Sequence, residues 1–299
     1  MLFFMLRGDM VHSMEDGVYV AALTPLYSDL SCDYEELTKH CLDLMDRGCK
    51  GVVLFGTTGE GASFSVEERK ETIRQVISKG LDPKKIIIGN GSSNLQDTVN
   101  LSLAALEYNC LACLIAPPCF FKNVTEEGVI AFYREVIKRV ANPNLQVILY
   151  HIPQCSGVPL TVNIVKKLCE EFPEVIIGLK ESEGNLSLTK AILKTVPRCK
   201  VFVGKEKQIP AAVSYGASGT ICGMANLWPE MICSLYEKGE ALGSEKMFLA
   251  LENRPFIASS KALLTKEENP NWKFVRPPLT PLTEDEINLL KQNVILQNK

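Results

Sequence analysis

Eight short apolar runs rich in Val, Ile and Leu recur from Val18 to Gly223, each separated from the next by a stretch of helical period. They are VYVAAL from Val18, GVVLF from Gly51, KIIIGN from Lys85, LACLIAP from Leu111, QVILYHIP from Gln146, VIIGLKE from Val175, KVFVG from Lys200 and GTICG from Gly219. Runs this short and this uniformly apolar suit strands buried on both faces. Between them lie amphipathic stretches at Tyr34 to Arg47, Val66 to Ser78, Leu95 to Glu107, Glu126 to Val140, Val162 to Phe172, Leu186 to Thr195 and Glu206 to Tyr215. One helical crossover per strand means a parallel sheet. Eight such units, with no linker, low-complexity tract or composition break, predict a closed (β/α)8 TIM barrel rather than an open doubly wound sheet. The barrel is expected over residues 15–228. Residues 229–299 read as a helical extension of the same domain used in subunit packing, and residues 1–14 as a disordered N-terminal extension.

At 299 residues and 46% apolar composition, the chain is long enough to bury one large core. Its net charge of −3 comes from scattered Lys, Arg, Asp and Glu, which excludes the basic footprint of a nucleic-acid or anionic-membrane binder. Small-molecule chemistry is expected instead. The apolar start from Met1 to Leu6 is too short for a signal-peptide core, and nothing later reaches the roughly 18 apolar residues of a membrane span. Eleven cysteines, an odd number, spread through strands and helices indicate reduced thiols and a cytoplasmic location. Cys110 and Cys113 form a C-x-x-C without a second pair or histidine cluster, so a metal site is not expected there.

Reactive groups in such barrels follow the C-terminal ends of the strands. The sixth run ends on Lys180. An amine among apolar strand atoms is costly to keep charged, and its neutral form attacks a ketone or aldehyde to give a Schiff base. A surface lysine paired with Glu181 or Glu183 fits the same position. Tyr150 closes the fifth run, about 4.8 Å away if the strands are neighbours, and could carry protons for that chemistry or simply cap the core. GTTGE, Gly56 to Glu60, offers the hydroxyls of Thr57 and Thr58 and the exposed backbone of Gly59 as a nest for a carboxylate or phosphate. Together the three features suit capture of a 2-keto acid as an imine, an electron sink for making or breaking the adjacent carbon–carbon bond.

GTTGE, YHIPxxSGV, GLKES and GASGTICGMAN resemble, in order and spacing, the pyruvate-dependent class I aldolases that include dihydrodipicolinate synthase and N-acetylneuraminate lyase. The resemblance covers roughly Val18 to Trp228, more loosely the tail. It implies that Lys180 forms the Schiff base with pyruvate, Tyr150 shuttles protons, and Thr57 and Thr58 hold the keto-acid carboxylate, Thr58 sharing in proton transfer. It places the Ile221 carbonyl beside the lysine and makes Ser182, Gly204 and Glu206 substrate contacts. It also implies a homotetramer built as a dimer of dimers, with no metal or organic cofactor.

Departures from the pattern bear on the substrate. PPCFFKN offers Phe120 and Phe121 where the synthases have a second tyrosine lent by a neighbouring subunit, and Cys155 stands where they place an arginine clamp. GASFSVEER and Cys119 lack the histidine and tyrosine of the lysine-feedback site, so lysine inhibition is not expected. QCSGV resembles the sialic acid lyase form, although Glu206 and Lys207 only half keep that form's acidic pair; Lys205 beside them is either a contact for an anionic end of the substrate or a solvated loop residue. The expected activity is a class I aldolase or lyase acting on a 2-keto acid, a 2-keto-3-deoxy sugar acid above others, from pyruvate and a small aldehyde. Dihydrodipicolinate synthesis from aspartate semialdehyde, a related dehydration, and a catalytically silent keto-acid-binding barrel are the alternatives.

Overall fold

A computed structural model describes residues 14–297. Eight strands, β1 (Gly17–Ala21), β2 (Gly51–Leu54), β3 (Ile86–Gly89), β4 (Ala112–Ile115), β5 (Val147–His151), β6 (Ile176–Glu181), β7 (Lys200–Val203) and β8 (Gly219–Cys222), pair in chain order into a closed, all-parallel barrel. The helices that return the chain are α1 (Tyr34–Asp46), α2 (Val66–Ser78), α3 (Leu95–Glu107), α4 (Glu126–Val140), the one-turn α5 (Pro153–Ser156), α6 (Val162–Glu171), α7 (Leu186–Thr195) and α8 (Ile209–Ser214). The tail adds α9 (Pro229–Lys238), α10 (Ser244–Leu251), α11 (Phe256–Leu264) and α12 (Glu284–Gln297). This is the expected TIM barrel with a C-terminal helical region. The expected N-terminal extension lies outside the described residues except for Met14, which is buried against the barrel interior.

The helices begin where side chains can satisfy their free N–H groups. Asp33, Ser65, Asn94, Thr125, Thr161 and Asn185 each accept a hydrogen bond from the N–H three residues on, and Ser65 with Glu68 completes a reciprocal capping box. Each cap starts a crossover promptly after its strand and loop.

Alternation along the strands divides the core into two apolar clusters. Val18, Val20, Val52, Leu54, Leu149 and Leu179 belong to the outer one, beneath the helices. Tyr19, Val53, Ile87, Ile148, Phe202 and Ile221 fill the interior, where Tyr19 and Phe202 meet edge to face at 5.7 Å. The ring closes where β1 meets β8, with Gly17 opposite Gly219. At Gly219 φ is +151°, and an added Cβ would lie 1.9 Å from the Gly17 carbonyl oxygen. Only glycine fits that crossing.

Beyond β8 the chain tucks Asn226 beneath the end of β1. Its amide nitrogen donates to the Ala21 and Gly223 carbonyls at 2.8 and 2.7 Å, while its oxygen accepts from Leu23 N–H at 2.9 Å. Because that oxygen is an acceptor, the 3.0 Å contact from His40 Nε2 is a donated hydrogen bond, made by a neutral ring. Burial depresses the pKa of His40 below the ordinary histidine value. The unfolded chain therefore takes up a proton near pH 6.5 that the folded chain still refuses, so stability present above that pH is lost as pH falls. Thermal melts between pH 7.5 and pH 5 should show a falling Tm, with the slope reduced in His40→Gln.

Candidate active site

The positions of Tyr150 and Lys180 depend on an irregularity in the sheet. Along β5 the outward residues are Val147 and Leu149 and the inward ones Ile148 and Tyr150. On β6, Ile176 pairs with Val147 and Gly178 with Ile148, so Ile177 is an extra residue. This bulge shifts the alternation by one. Leu179 then faces the helices, Lys180 pairs with Tyr150 on the inner side, and Glu181 pairs with His151 on the outer side. A regular strand keeping Ile176 outside would have turned Glu181 inward and Lys180 out.

Lys180 is 4% exposed, and its Nζ lies 4.4 Å from the centroid of the Tyr150 ring. Tyr150 Oη is 3.3 Å from Thr57 Oγ1, at the edge of the mouth. Amine, phenol and hydroxyl thus form a contiguous series contributed by β6, β5 and the loop after β2. Thr57 is exposed and Thr58 half-buried.

That loop is held rigidly. Thr57 O accepts from Glu60 N–H and Gly56 O from Gly61 N–H, both at 3.1 Å, and Thr24 Oγ1 donates to Gly59 O at 2.9 Å. The buried Arg69 guanidinium donates to the carbonyls of Gly61, Phe64 and Gly89 and forms no ion pair among the described residues; burial holds its pKa down to about 10. Phe55 and Glu60 both adopt left-handed φ, +59° and +58°. A Cβ on Gly61 would lie 1.9 Å from the Phe55 carbonyl oxygen. Gly61→Ala should therefore force the turn apart at a cost of about 1–3 kcal/mol, read as a lower Tm.

The remaining expected residues are more dispersed. Ser182 is buried, donates its N–H to the His151 carbonyl at 2.9 Å, and lies so close to Gly204 that a methyl there would be 2.1 Å from Ser182 Oγ. Ile221 sits in the barrel interior. Glu206 turns aside, its Oε1 accepting from Met224 N–H at 3.0 Å. Lys205 is exposed, and among the described residues it forms no ion pair, whereas Lys207 pairs with Glu252 at 3.1 Å. Phe120 and Phe121 are 77% and 68% exposed and stack edge to face at 5.5 Å. Cys155 is also exposed.

Three groups at this end escape motif reading. Lys122 lies across Gly157 and donates to the carbonyls of Cys119 and Ser156, the latter at 2.9 Å, which joins the loops after β4 and β5. Gln154 Nε2 donates to the Ser182 carbonyl at 2.7 Å. Glu60 is buried and paired with Lys261, some 201 residues later. A lysine and a glutamine in loop sequences carry no periodic signal, and the Glu60 partner is too remote for any spacing to suggest it.

His151, Glu181 and Glu183 bring donor atoms within 4.8 Å of one another, the one such group among the described residues. Leu160 N–H donates to His151 Nδ1 at 3.0 Å. The neutral ring therefore carries its proton on Nε2 and gives it to Glu183 Oε2 at 3.1 Å. With both nitrogens so engaged, the ring offers no lone pair to a cation, and the cluster serves to brace the back of β5 and β6.

Residues 14–297 match the model of the dihydrodipicolinate synthetase family. An uncharacterized DapA-like lyase of Chloroflexus aurantiacus is 32% identical over 286 residues, covering 92% of this chain and 94% of that protein. A 4-hydroxy-tetrahydrodipicolinate synthase of Brachyspira hyodysenteriae is 27% identical over 281 residues, covering 91% and 94%. The crystal structure of dihydrodipicolinate synthase from Agrobacterium tumefaciens superposes with a TM-score of 0.90 at 27% identity, covering 95% of this chain and all of that one.

Proposed function

Because the chain belongs to the dihydrodipicolinate synthetase family of class I aldolases and lyases, we propose that Lys180 forms a Schiff base with pyruvate and that the enzyme makes or breaks the carbon–carbon bond of a 2-keto-3-deoxy sugar acid through it. The observation that carries this reading is the contiguous contact of Lys180, Tyr150 and Thr57 at the mouth. The keto-acid carboxylate is received by the hydroxyls of Thr57 and Thr58 and the turn closed by Gly59. Lys180 then adds to the keto carbon, Tyr150 carries the proton that lets the carbinolamine lose water, and Thr57 and Thr58 pass protons on towards solvent. The protonated imine draws electrons from the neighbouring carbon, so an enamine can add to an aldehyde or be released by cleavage. The imine formed on Lys180 is the electron sink, and no metal or organic cofactor is required.

Ser182, two residues beyond Lys180 and beside Gly204, would meet a substrate hydroxyl, with Ile221 on the interior wall and Glu206 Oε2 as a further contact. A sugar acid is favoured over aspartate semialdehyde because Cys155, an exposed neutral thiol, supplies no fork for a second carboxylate, and because Phe120 and Phe121 bring no hydroxyl to a proton relay. Dehydration through the same imine is the neighbouring possibility. A silent binding barrel gains little support, since mere binding has no use for a buried lysine amine. The large exposed aromatics near the mouth suit a homotetramer assembled as a dimer of dimers, and the cysteines, all free, suit the cytoplasm. No helix among the described residues is long and apolar enough to cross a membrane.

Borohydride treatment in the presence of pyruvate should attach a reduced pyruvate to the peptide carrying Lys180, with no such adduct in Lys180→Ala; absence of the adduct from the wild-type protein sinks the Schiff-base reading. In a panel of 2-keto-3-deoxy acids scored by pyruvate release, Tyr150→Phe should lower kcat by about 10²–10⁴. Turnover of aspartate semialdehyde within tenfold of about 10 per second would transfer the assignment to dihydrodipicolinate synthesis.

A further inference from the structure

Glu60 ends the turn that carries Thr57 and Thr58, and its side chain is fully buried, as is that of Lys261 on α11. Lys261 Nζ donates to Glu60 Oε1 and also to the Phe274 carbonyl at 2.7 Å. The other carboxylate oxygen, Oε2, accepts from Arg276 N–H at 2.8 Å. Two groups of the C-terminal region therefore hold one carboxylate of the barrel mouth from opposite sides. Burial depresses the pKa of Lys261, a sign of how much desolvation this arrangement carries. Apolar packing could tie the tail to the barrel without that cost.

What the pair does can be followed through the turn. Glu60 N–H is bonded to Thr57 O at 3.1 Å, and Thr57 Oγ1 is 3.3 Å from Tyr150 Oη, which leads to Lys180. On its other flank α11 lays the Phe256 ring against Gly223, at a spot where an added Cβ would be 2.6 Å from Phe256 Cε1 and 3.2 Å from Thr58 Oγ1. The same helix thus reaches towards both threonines, Thr57 through the ion pair and Glu60, and Thr58 through Gly223, which the Phe256 ring covers.

We propose that Glu60 and Lys261 are positioning residues: their buried ion pair, completed by Arg276 N–H, sets the turn that receives the pyruvate carboxylate, so that the C-terminal extension governs keto-acid affinity. The inference rests on the functional reading above, since it assigns the turn the role given there.

The double variant E60Q/K261M removes both charges at nearly constant volume and leaves an acceptor for Arg276 N–H. Borohydride trapping with graded pyruvate should show its half-saturating concentration raised at least tenfold. Leu290→Ala, a core change on α12 that removes none of the hydrogen bonds of the turn, should lower Tm while keeping the wild-type half-saturation, which separates general loosening from lost positioning. Glu60→Asp keeps the charge but shortens its reach, and should give an intermediate rise even if the double variant does not fold. A half-saturation within twofold of wild type in E60Q/K261M or Glu60→Asp, or an equal rise in Leu290→Ala, overturns the proposal. A wild-type protein that yields no adduct overturns the functional reading and this inference with it, whereas a normal wild-type adduct with unaffected Glu60 variants removes the inference alone.

Discussion

Closure of the barrel between β1 and β8 is the constraint on which the other features depend. The pairing brings Gly219 so close to Gly17 that a side chain at Gly219 would run into the Gly17 carbonyl, and the parallel ring it completes has no free edge. With the ring closed, every strand must commit alternate residues to an interior of fixed size. Tyr19, Phe202 and Ile148 fill that interior with apolar bulk, leaving polar groups a place only where the strands end. The mouth is chemically distinct for that reason, and reactive side chains from strands remote in sequence meet there.

Polar groups beneath the mouth are numerous, and their partners are specific. Asn226 uses four hydrogen bonds to fasten the end of β8 to β1 and to His40. Arg69 satisfies its guanidinium on three backbone carbonyls of the loop after β2 and the end of β3. Glu60 and Lys261 neutralise one another in a space closed to water. Each of these groups would be expensive to bury alone, so each fixes its partners' geometry. The loops of the mouth are consequently rigid where they face Lys180. They are open at the outer rim, where Phe120, Phe121 and Cys155 are exposed.

This gradient separates two levels of function. The inner level, Lys180 with Tyr150 and Thr57, suits the step that activates a keto acid. On the proposed reading the outer level would meet that activated carbon's partner, and here the chain offers aromatic edges, a thiol and the Lys122 ammonium already donating to two carbonyls. Family membership therefore says more about the inner chemistry than about the second substrate.

Much of the architecture was legible because its signals are local. The bounds of α2, α3, α4 and α7 coincide with the stretches of helical period, since caps and amphipathic spacing act within a few residues. The eight apolar runs likewise announce the strands of the barrel, and the GTTGE, YHIP and GLKES segments mark the ends where chemistry belongs. The one-turn helix α5, within the YHIP loop, was not visible, being too short to show a period. Which face Lys180 takes was not legible either: the bulge at Ile177 decides it, and a bulge arises from pairing with β5 rather than from β6 alone. Nor could Glu60 be joined to Lys261 and Arg276, more than 200 residues away, for nothing periodic links them. The sequence by itself determined the strands and the crossovers and marked Lys180 as the candidate amine. Only the tertiary structure decided where that amine points and what holds the turn opposite it, because both depend on contacts between segments that meet only once the ring has closed.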